Sequence, residues 1–284
     1  MKLFAHQAAL KSNGVDMVSW GPDIASNTVV VKLANYTSTA VQSLHRQYGG
    51  KSWLTVVPTH GPLPRRTFNR YYDAPYFYNG DRVWFNNNPS GAKCTSGFAF
   101  RGNNSGNTFN TTAGHCGGSS VWTNYTAHYK MGNISTNYFS STSGWDMESF
   151  PCECAYPVWY EGPSIGTNQG RTHNIAGSCY CGVGSYITMD GASTGEVPGN
   201  KVVQVNFCTT FSDGITTCHL NYAYNPSGYT ICQGGDSGGP AYQRGSNNNA
   251  YATGIIVGTD YGDDCYYHLL GAYLSKVNGS LITG

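Results

Sequence analysis

The chain has 284 residues, a formal net charge of +1 and only 11% charged residues, and none of its apolar runs approaches the ~20 residues that a bilayer-spanning helix needs. That balance supplies no basic stripe for nucleic acid and no polybasic patch for a membrane surface. Thirty-seven glycines and 22 tyrosines, with abundant Ser, Thr and Asn, point instead to a β-rich protein with many turns.

Met1 to Leu10 has no apolar core long enough for a secretory signal, yet ten cysteines in a chain of this size point to an oxidising compartment. The two observations together imply a secreted protein whose sequence, as given, begins downstream of its signal. From Gly14 to Val57 the pattern runs strand, short helix, strand, through Val29 to Leu33, Ala40-Val41-Gln42-Ser43-Leu44 and Trp53 to Val57, which suits a small α+β domain. Thr59-His60-Gly61-Pro62-Leu63-Pro64-Arg65-Arg66, followed by Arg70, is a Pro- and Gly-bearing linker with a dibasic step, the kind of segment that is exposed and cleavable.

Beyond the linker the runs with strand character, such as Lys201 to Phe207 and Gly254 to Val257, alternate with turn clusters, and no long amphipathic helical pattern appears. Cys208 and Cys218 flank Ser212-Asp213-Gly214, a hairpin-turn signal, so these two cysteines are expected to pair across strands. Cys152-Glu153-Cys154 and Cys179-Tyr180-Cys181 form two CxC elements; they are expected to bridge one another, and four cysteines allow three pairings, with a tetrathiolate zinc site as the alternative. Six sequons, at Asn35, Asn103, Asn110, Asn124, Asn133 and Asn278, would be glycan sites in a eukaryotic secretory pathway.

The chemistry gathers around Gly235-Asp236-Ser237-Gly238-Gly239-Pro240, Thr112-Ala113-Gly114-His115-Cys116 and Gly144-Trp145-Asp146-Met147. A hydroxyl is a poor nucleophile at neutral pH, so attack by Ser237 needs an imidazole to take its proton and a carboxylate to orient that imidazole. His115 and Asp146 supply the two groups. Asp146 follows a polar, glycine-bearing run and precedes Met147, Ser149 and Phe150, which suits a carboxylate entering a buried strand, whereas Asp73, Asp81, Asp190 and Asp213 read as solvated loop carboxylates. His173, His219 and His268 belong to no such constellation and read as surface or loop histidines.

With Cys94-Thr95-Ser96-Gly97-Phe98 and Gly191-Ala192-Ser193-Thr194-Gly195 added, the order and spacing of these motifs from about Tyr71 onwards resemble the streptogrisin and α-lytic protease group of chymotrypsin-like serine endopeptidases. Residues 14 to 57 are similar to the last part of a streptogrisin-type propeptide. The resemblance implies an all-β fold of two antiparallel β-barrels, 71–160 carrying His115 and Asp146 and 161–284 carrying Ser237, preceded by an α+β prodomain and linker at 1–70. It implies that this prodomain inhibits the enzyme intramolecularly until removed by a cut between Arg65 and Tyr72; a permanent accessory domain is the alternative. It also implies bridges Cys94–Cys116 and Cys232–Cys265 and an oxyanion hole from the backbone amides of Gly235 and Ser237.

The expected protein is a monomeric secreted serine endopeptidase that acts on a protein or peptide substrate through an acyl-enzyme, with no metal or organic cofactor. Two other readings stay open: an inactive protease-like binding protein, and an esterase using the same triad. The substrate-binding strand is expected at Val257-Gly258-Thr259, where the family usually reads Ser-Gly-Gly. Val257 removes a hydroxyl that normally supports the triad aspartate, and Thr259 narrows an entrance that glycine leaves open. Asp260, Asp263 and Asp264 either attract a basic substrate side chain or form a solvated acidic loop.

Overall fold

A computed structural model of the chain describes residues 6–23, 26–50, 52–59, 70, 73, 75, 77–123, 129–140, 142–152, 157–160, 172–247 and 249–284. Most of the linker, Tyr71, Tyr72, the sequon at Asn124, and Glu153 with Cys154 lie outside these residues. The chain divides into two compact units, Met1–Arg66 and Thr67–Gly284.

In the first unit helix α1 (Gln7–Ser12) precedes strands β1 (Met17–Asp23) and β2 (Thr28–Leu33), helix α2 (Ser38–Tyr48) and strand β3 (Leu54–Pro58). β2 lies between the other two strands, antiparallel to β1 and parallel to β3, so the chain must cross over through α2. Thr37 starts that helix by accepting the Ala40 amide at 3.1 Å, and Ala40 and Leu44, one turn apart, turn the same face inward. They meet Val31, Leu33, Leu54 and Val56, which alternate along the strands with exposed or half-buried neighbours, and one small apolar core results.

The second unit is built almost wholly from β-strands. A four-stranded antiparallel sheet holds β4 (Arg82–Phe85), β5 (Lys93–Thr95), β8 (Ser120–Thr123) and β9 (Tyr129–Asn133). A five-stranded sheet has the order β10 (Thr136–Asn137), β11 (Glu148–Pro151), β7 (Thr108–Thr112), β6 (Ala99–Gly102) and β20 (Gly279–Leu281). The chain's last strand therefore returns to the sheet made by residues 99–151, rather than staying with the strands that precede it.

The largest sheet has eight strands. β12 (Val158–Tyr160) and β13 (Thr172–Ser178) sit at one side of β14 (Tyr186–Gly191), β15 (Gly195–Thr210), β16 (Thr216–Tyr224), β17 (Pro240–Arg244), β18 (Asn249–Gly258) and β19 (Asp264–Leu269). β19 pairs with both β16 and β18, so β14 to β19 close into a ring of six strands and leave no free edge among themselves. A seven-residue helix, α3 (Leu270–Lys276), follows; no sequence pattern announced it, and it is held by burying Leu270, Tyr273 and Leu274. These side chains join Phe98, Phe100, Met147, Trp159, Tyr242 and Ile255 in a core shared by strands of the five- and eight-stranded sheets.

Among the described residues four disulfides brace this unit: Cys94–Cys116, Cys179–Cys181, Cys208–Cys218 and Cys232–Cys265. Cys179 and Cys181 pair within their own CxC element, and Cys152 is also oxidised. Of the sequons, Asn110 is fully buried in β7 with its side-chain amide donating to Asn79 at 2.9 Å, so no glycan can be attached there. No helix among the described residues is long and apolar enough to cross a membrane.

Candidate active site

His115 sits on a single 3₁₀ turn, Gly114–Cys116, at the end of β7; Ser237 lies in the loop before β17; and Asp146 lies just before β11. The structure brings the three together. His115 Nε2 is 2.9 Å from Ser237 Oγ, and its Nδ1 is 2.7 Å from Asp146 Oδ2. The other carboxylate oxygen accepts the His115 backbone amide at 2.7 Å, so one carboxylate fixes both the ring and the main chain that carries it. Burial alone would lower the His115 pKa, but the hydrogen bond and charge of Asp146, and the charge of Asp213 on the hairpin tip, raise it above its ordinary 6.5.

Beside Asp146 is a second acid, Glu148, fully buried, with Oε2 accepting from Asn137 at 2.7 Å. Desolvation, then the charge of Asp146, pushes its pKa to about 9. At neutral pH Glu148 is therefore protonated.

The loop around Ser237 is held from several directions. Asp236 is buried, and its carboxylate accepts the amides of Ser193 (2.7 Å), Thr194 (2.9 Å) and Gln233 (2.9 Å) and the Thr194 hydroxyl (2.5 Å). Thr95, within the Cys94–Phe98 motif, donates its hydroxyl to the Gly235 carbonyl at 2.8 Å, accepts the Ala192 amide at 2.9 Å, and gives its own amide to the Ser237 carbonyl at 2.8 Å. Gly235 takes φ +102°, a conformation that L side chains rarely adopt. Among the described residues, neither the Gly235 amide nor the Ser237 amide donates a hydrogen bond, which leaves both for an oxygen bound beside Oγ.

Several expectations need correction. Asp73, Asp81 and Asp190 are buried rather than solvated; of these four acids only Asp213 is exposed in a loop. His173 is buried 3.3 Å from Glu196, and His268 is fully buried in β19. His268 Nε2 accepts the Asp146 backbone amide at 3.0 Å, and its ring and that of His219 stack on Trp145, with centroid distances of 5.0 and 4.9 Å. This imidazole was missed because 122 residues separate it from Asp146 and no local motif surrounds it.

At the expected specificity strand, Val257 is buried in an apolar cluster with Leu220 and Tyr266, and its carbonyl lies 3.3 Å from Ser237 Oγ. It offers Asp146 nothing, and among the described residues the Asp146 carboxylate accepts only from His115. The Thr259 hydroxyl donates to Asp264 at 2.6 Å and accepts the Gly262 amide at 2.7 Å, so it is tied into its own turn. Asp264 is buried and also accepts the Asp260 amide at 2.9 Å; it is neither a solvated acid nor a free partner for a basic side chain. Cys94, Cys116 and His115 place donor atoms within 4.8 Å of one another, but both sulfurs are committed to a disulfide.

The fold is that of the chymotrypsin-like serine proteases, and the solved structures similar to this chain include bacterial enzymes of that class. Thermobifida fusca protease A is 27% identical, with a TM-score of 0.56, over 73% of this chain and 98% of that one. The Nocardiopsis protease NAPase is 22% identical, TM-score 0.56, over 72% and 98%, and the α-lytic protease homolog N4 is 18% identical, TM-score 0.54, over 72% and 97%; at these identities they speak to the fold alone. No family model matches the chain, and no curated protein matches it. The likeness to Thermobifida fusca protease A, at 27% identity, supports a protease function.

Proposed function

We propose that the protein is a secreted serine endopeptidase of the streptogrisin and α-lytic protease type, made as a zymogen and acting as a monomer by acyl transfer. The observation that carries the reading is the geometry at Ser237: an imidazole nitrogen at 2.9 Å, a carboxylate 2.7 Å behind that imidazole, and two undonated amides at Gly235 and Ser237. Ser237 attacks the peptide carbonyl while His115 takes its proton and later delivers it to the leaving amine. Asp146 holds the tautomer with Nε2 facing the serine and stabilises the imidazolium as it forms. The Gly235 and Ser237 amides receive the oxyanion, a contribution worth on the order of a hundredfold or more in rate for one donor. No step calls for a metal or an organic cofactor.

In this reading two barrels flank the cleft, the closed ring of β14 to β19 being one of them and the four- and five-stranded sheets with His115 and Asp146 forming the other. Residues 1 to 66, a unit with its own core, are the prosegment that restrains the enzyme until it is cut away. The disulfides suit export to an oxidising compartment.

The decisive experiment is reaction with a peptidyl phosphonate followed by mass mapping, run beside hydrolysis of a casein substrate. The wild type is expected to carry the label on Ser237. Ser237→Ala should take none and lose activity by on the order of 10⁶ in turnover. Equal labelling of both proteins overturns the assignment, and labelling with ester hydrolysis but no cleavage of protein would favour the esterase.

A further inference from the structure

Arg70, the first described residue after Thr59, is almost fully buried inside the second unit. Its carbonyl accepts the Arg82 amide at 2.9 Å. Its guanidinium donates to the Tyr160 carbonyl at 2.8 Å and to the carboxylate of Asp190, which is itself without solvent exposure. Two more buried acids, Asp81 and Asp73, feel one another's charge there, and Asp81 also feels that of Arg70. Desolvation, against the charge of Arg70 and with a contribution from the charge of Glu196, pushes Asp190 up to about 7, and Arg70 is the main group that favours its ionised form.

Asp190 is the penultimate residue of β14, which leads through Gly191 into Ala192-Ser193-Thr194, the segment that holds the nucleophile loop. Gly191 lies so close to Asp236 that any side chain there would collide with its carboxylate. The next residues supply three of the four hydrogen bonds on Asp236 and the Ala192 amide on Thr95. A second arginine, Arg82, donates to the Ser193 hydroxyl at 2.8 Å, and the amide of the same residue is bound by the Arg70 carbonyl. Arg70 is thus joined to the oxyanion amides through Asp190, Gly191 and Asp236, packed in series.

We propose that Arg70 is a positioning residue of the catalytic unit: by neutralising Asp190 it fixes the segment that sets the conformation of the Gly235–Ser237 loop, and processing of the chain leaves it attached to the enzyme. The second clause rests on the zymogen reading above. A protease needs several residues of accessible, extended chain around the bond it cuts, and the Arg70–Tyr71 bond begins at a residue whose carbonyl and side chain are both engaged inside the unit. The scissile bond accordingly lies N-terminal to Arg70, and the mature chain retains that residue.

The test compares Arg70→Met, Arg70→Lys, Asp190→Asn and the Arg70→Met/Asp190→Asn double variant, expressed as the full chain. Hydrolysis of a chromogenic peptide is measured per phosphonate-titrated active site, so that only folded enzyme counts. Arg70→Met should lower kcat by roughly tenfold to a hundredfold, short of the outright loss of an oxyanion donor, with KM changed by less than about threefold. Arg70→Lys keeps the cation and should recover much of kcat. The double variant removes the stranded carboxylate along with its partner and should also exceed Arg70→Met. An unchanged kcat in Arg70→Met, or a double variant no better than the single one, overturns the proposal. N-terminal sequencing of active wild-type enzyme gives an independent answer, since a chain beginning at Tyr71 or later contradicts it. Active enzyme still beginning at Met1 would refute the zymogen reading instead, and the kcat comparison would then decide the role of Arg70 alone.

Discussion

The loops that carry Ser237 and Asp146 meet at the same imidazole but are held by different means. The serine loop is held redundantly: Gly235 takes φ +102°, and the Asp236 carboxylate beside the nucleophile collects four hydrogen bonds, three of them from Ser193 and Thr194. The aspartate loop has fewer supports. Its carboxylate is bound only by His115 among the described residues, its amide is accepted by His268, and Trp145 stacks with the rings of His219 and His268. A second tie comes from the hairpin of β15 and β16, where the Cys218 amide donates to the Gly144 carbonyl at 2.8 Å. Redundant bonds make one loop tolerant of losing any single contact, whereas sparse contacts make the other sensitive to the loss of each one.

The largest break expected on the aspartate side is Asp146→Asn. The amide cannot accept from both His115 nitrogens as the carboxylate does, and it favours the wrong imidazole tautomer, so turnover near neutral pH should fall by roughly 10⁴ with the fold intact by circular dichroism. A loss of less than tenfold would mean that Asp146 does not orient His115 during the reaction.

His268→Phe tests the support behind that aspartate. It keeps a ring against Trp145 but leaves the buried Asp146 amide without an acceptor, at a cost of about 1–3 kcal/mol in stability, and turnover should fall by roughly tenfold. The same variant should change the response to acid. Desolvation, opposed by the charge of Asp146, lowers the His268 pKa from 6.5 to about 4, with the His219 carbonyl and ring as its other polar neighbours. A basic group depressed on folding binds more protons in the unfolded chain, so stability is full above pH 6.5 and is lost as pH falls towards 4, by ~3 kcal/mol in all. Thermal melts of wild type should show that slope more steeply than His268→Phe; parallel curves would remove the imidazole from the account.

The smallest effect is expected from Asp213→Asn. Activity requires neutral His115, whose raised pKa places the acid limb of kcat/KM above 6.5. Losing the Asp213 charge should move that limb to lower pH while the plateau stays within about twofold, and added salt should shrink the difference. A limb that does not move at low ionic strength would show that the hairpin tip exerts no field at the imidazole.

How much of this was legible in the sequence depends on how local each signal is. The β-rich character, the small α+β pattern of residues 14 to 57 and the hairpin between Cys208 and Cys218 could be read because strand periodicity, helix periodicity and turn chemistry act within a few residues. The motifs around His115, Asp146 and Ser237 were visible for the same reason, since glycines and cysteines beside each residue shape its own turn.

What the sequence alone did not decide was which polar groups are buried and by what they are satisfied. Asp190 and Asp264 look like loop acids, and His268 looks like a stray imidazole, until strands from distant parts of the chain surround them. The Arg70–Asp190 pair spans 120 residues and the His268–Asp146 contact 122, separations at which no spacing rule operates. The composition and local patterning of the chain determined a turn-rich β protein with a serine, a histidine and an aspartate each on a shaped turn. Only the closed packing of the sheets decided which carboxylates lose water, which therefore need a cation or a donor, and which side chains provide it, because desolvation is a property of the assembled interior and not of any segment of sequence.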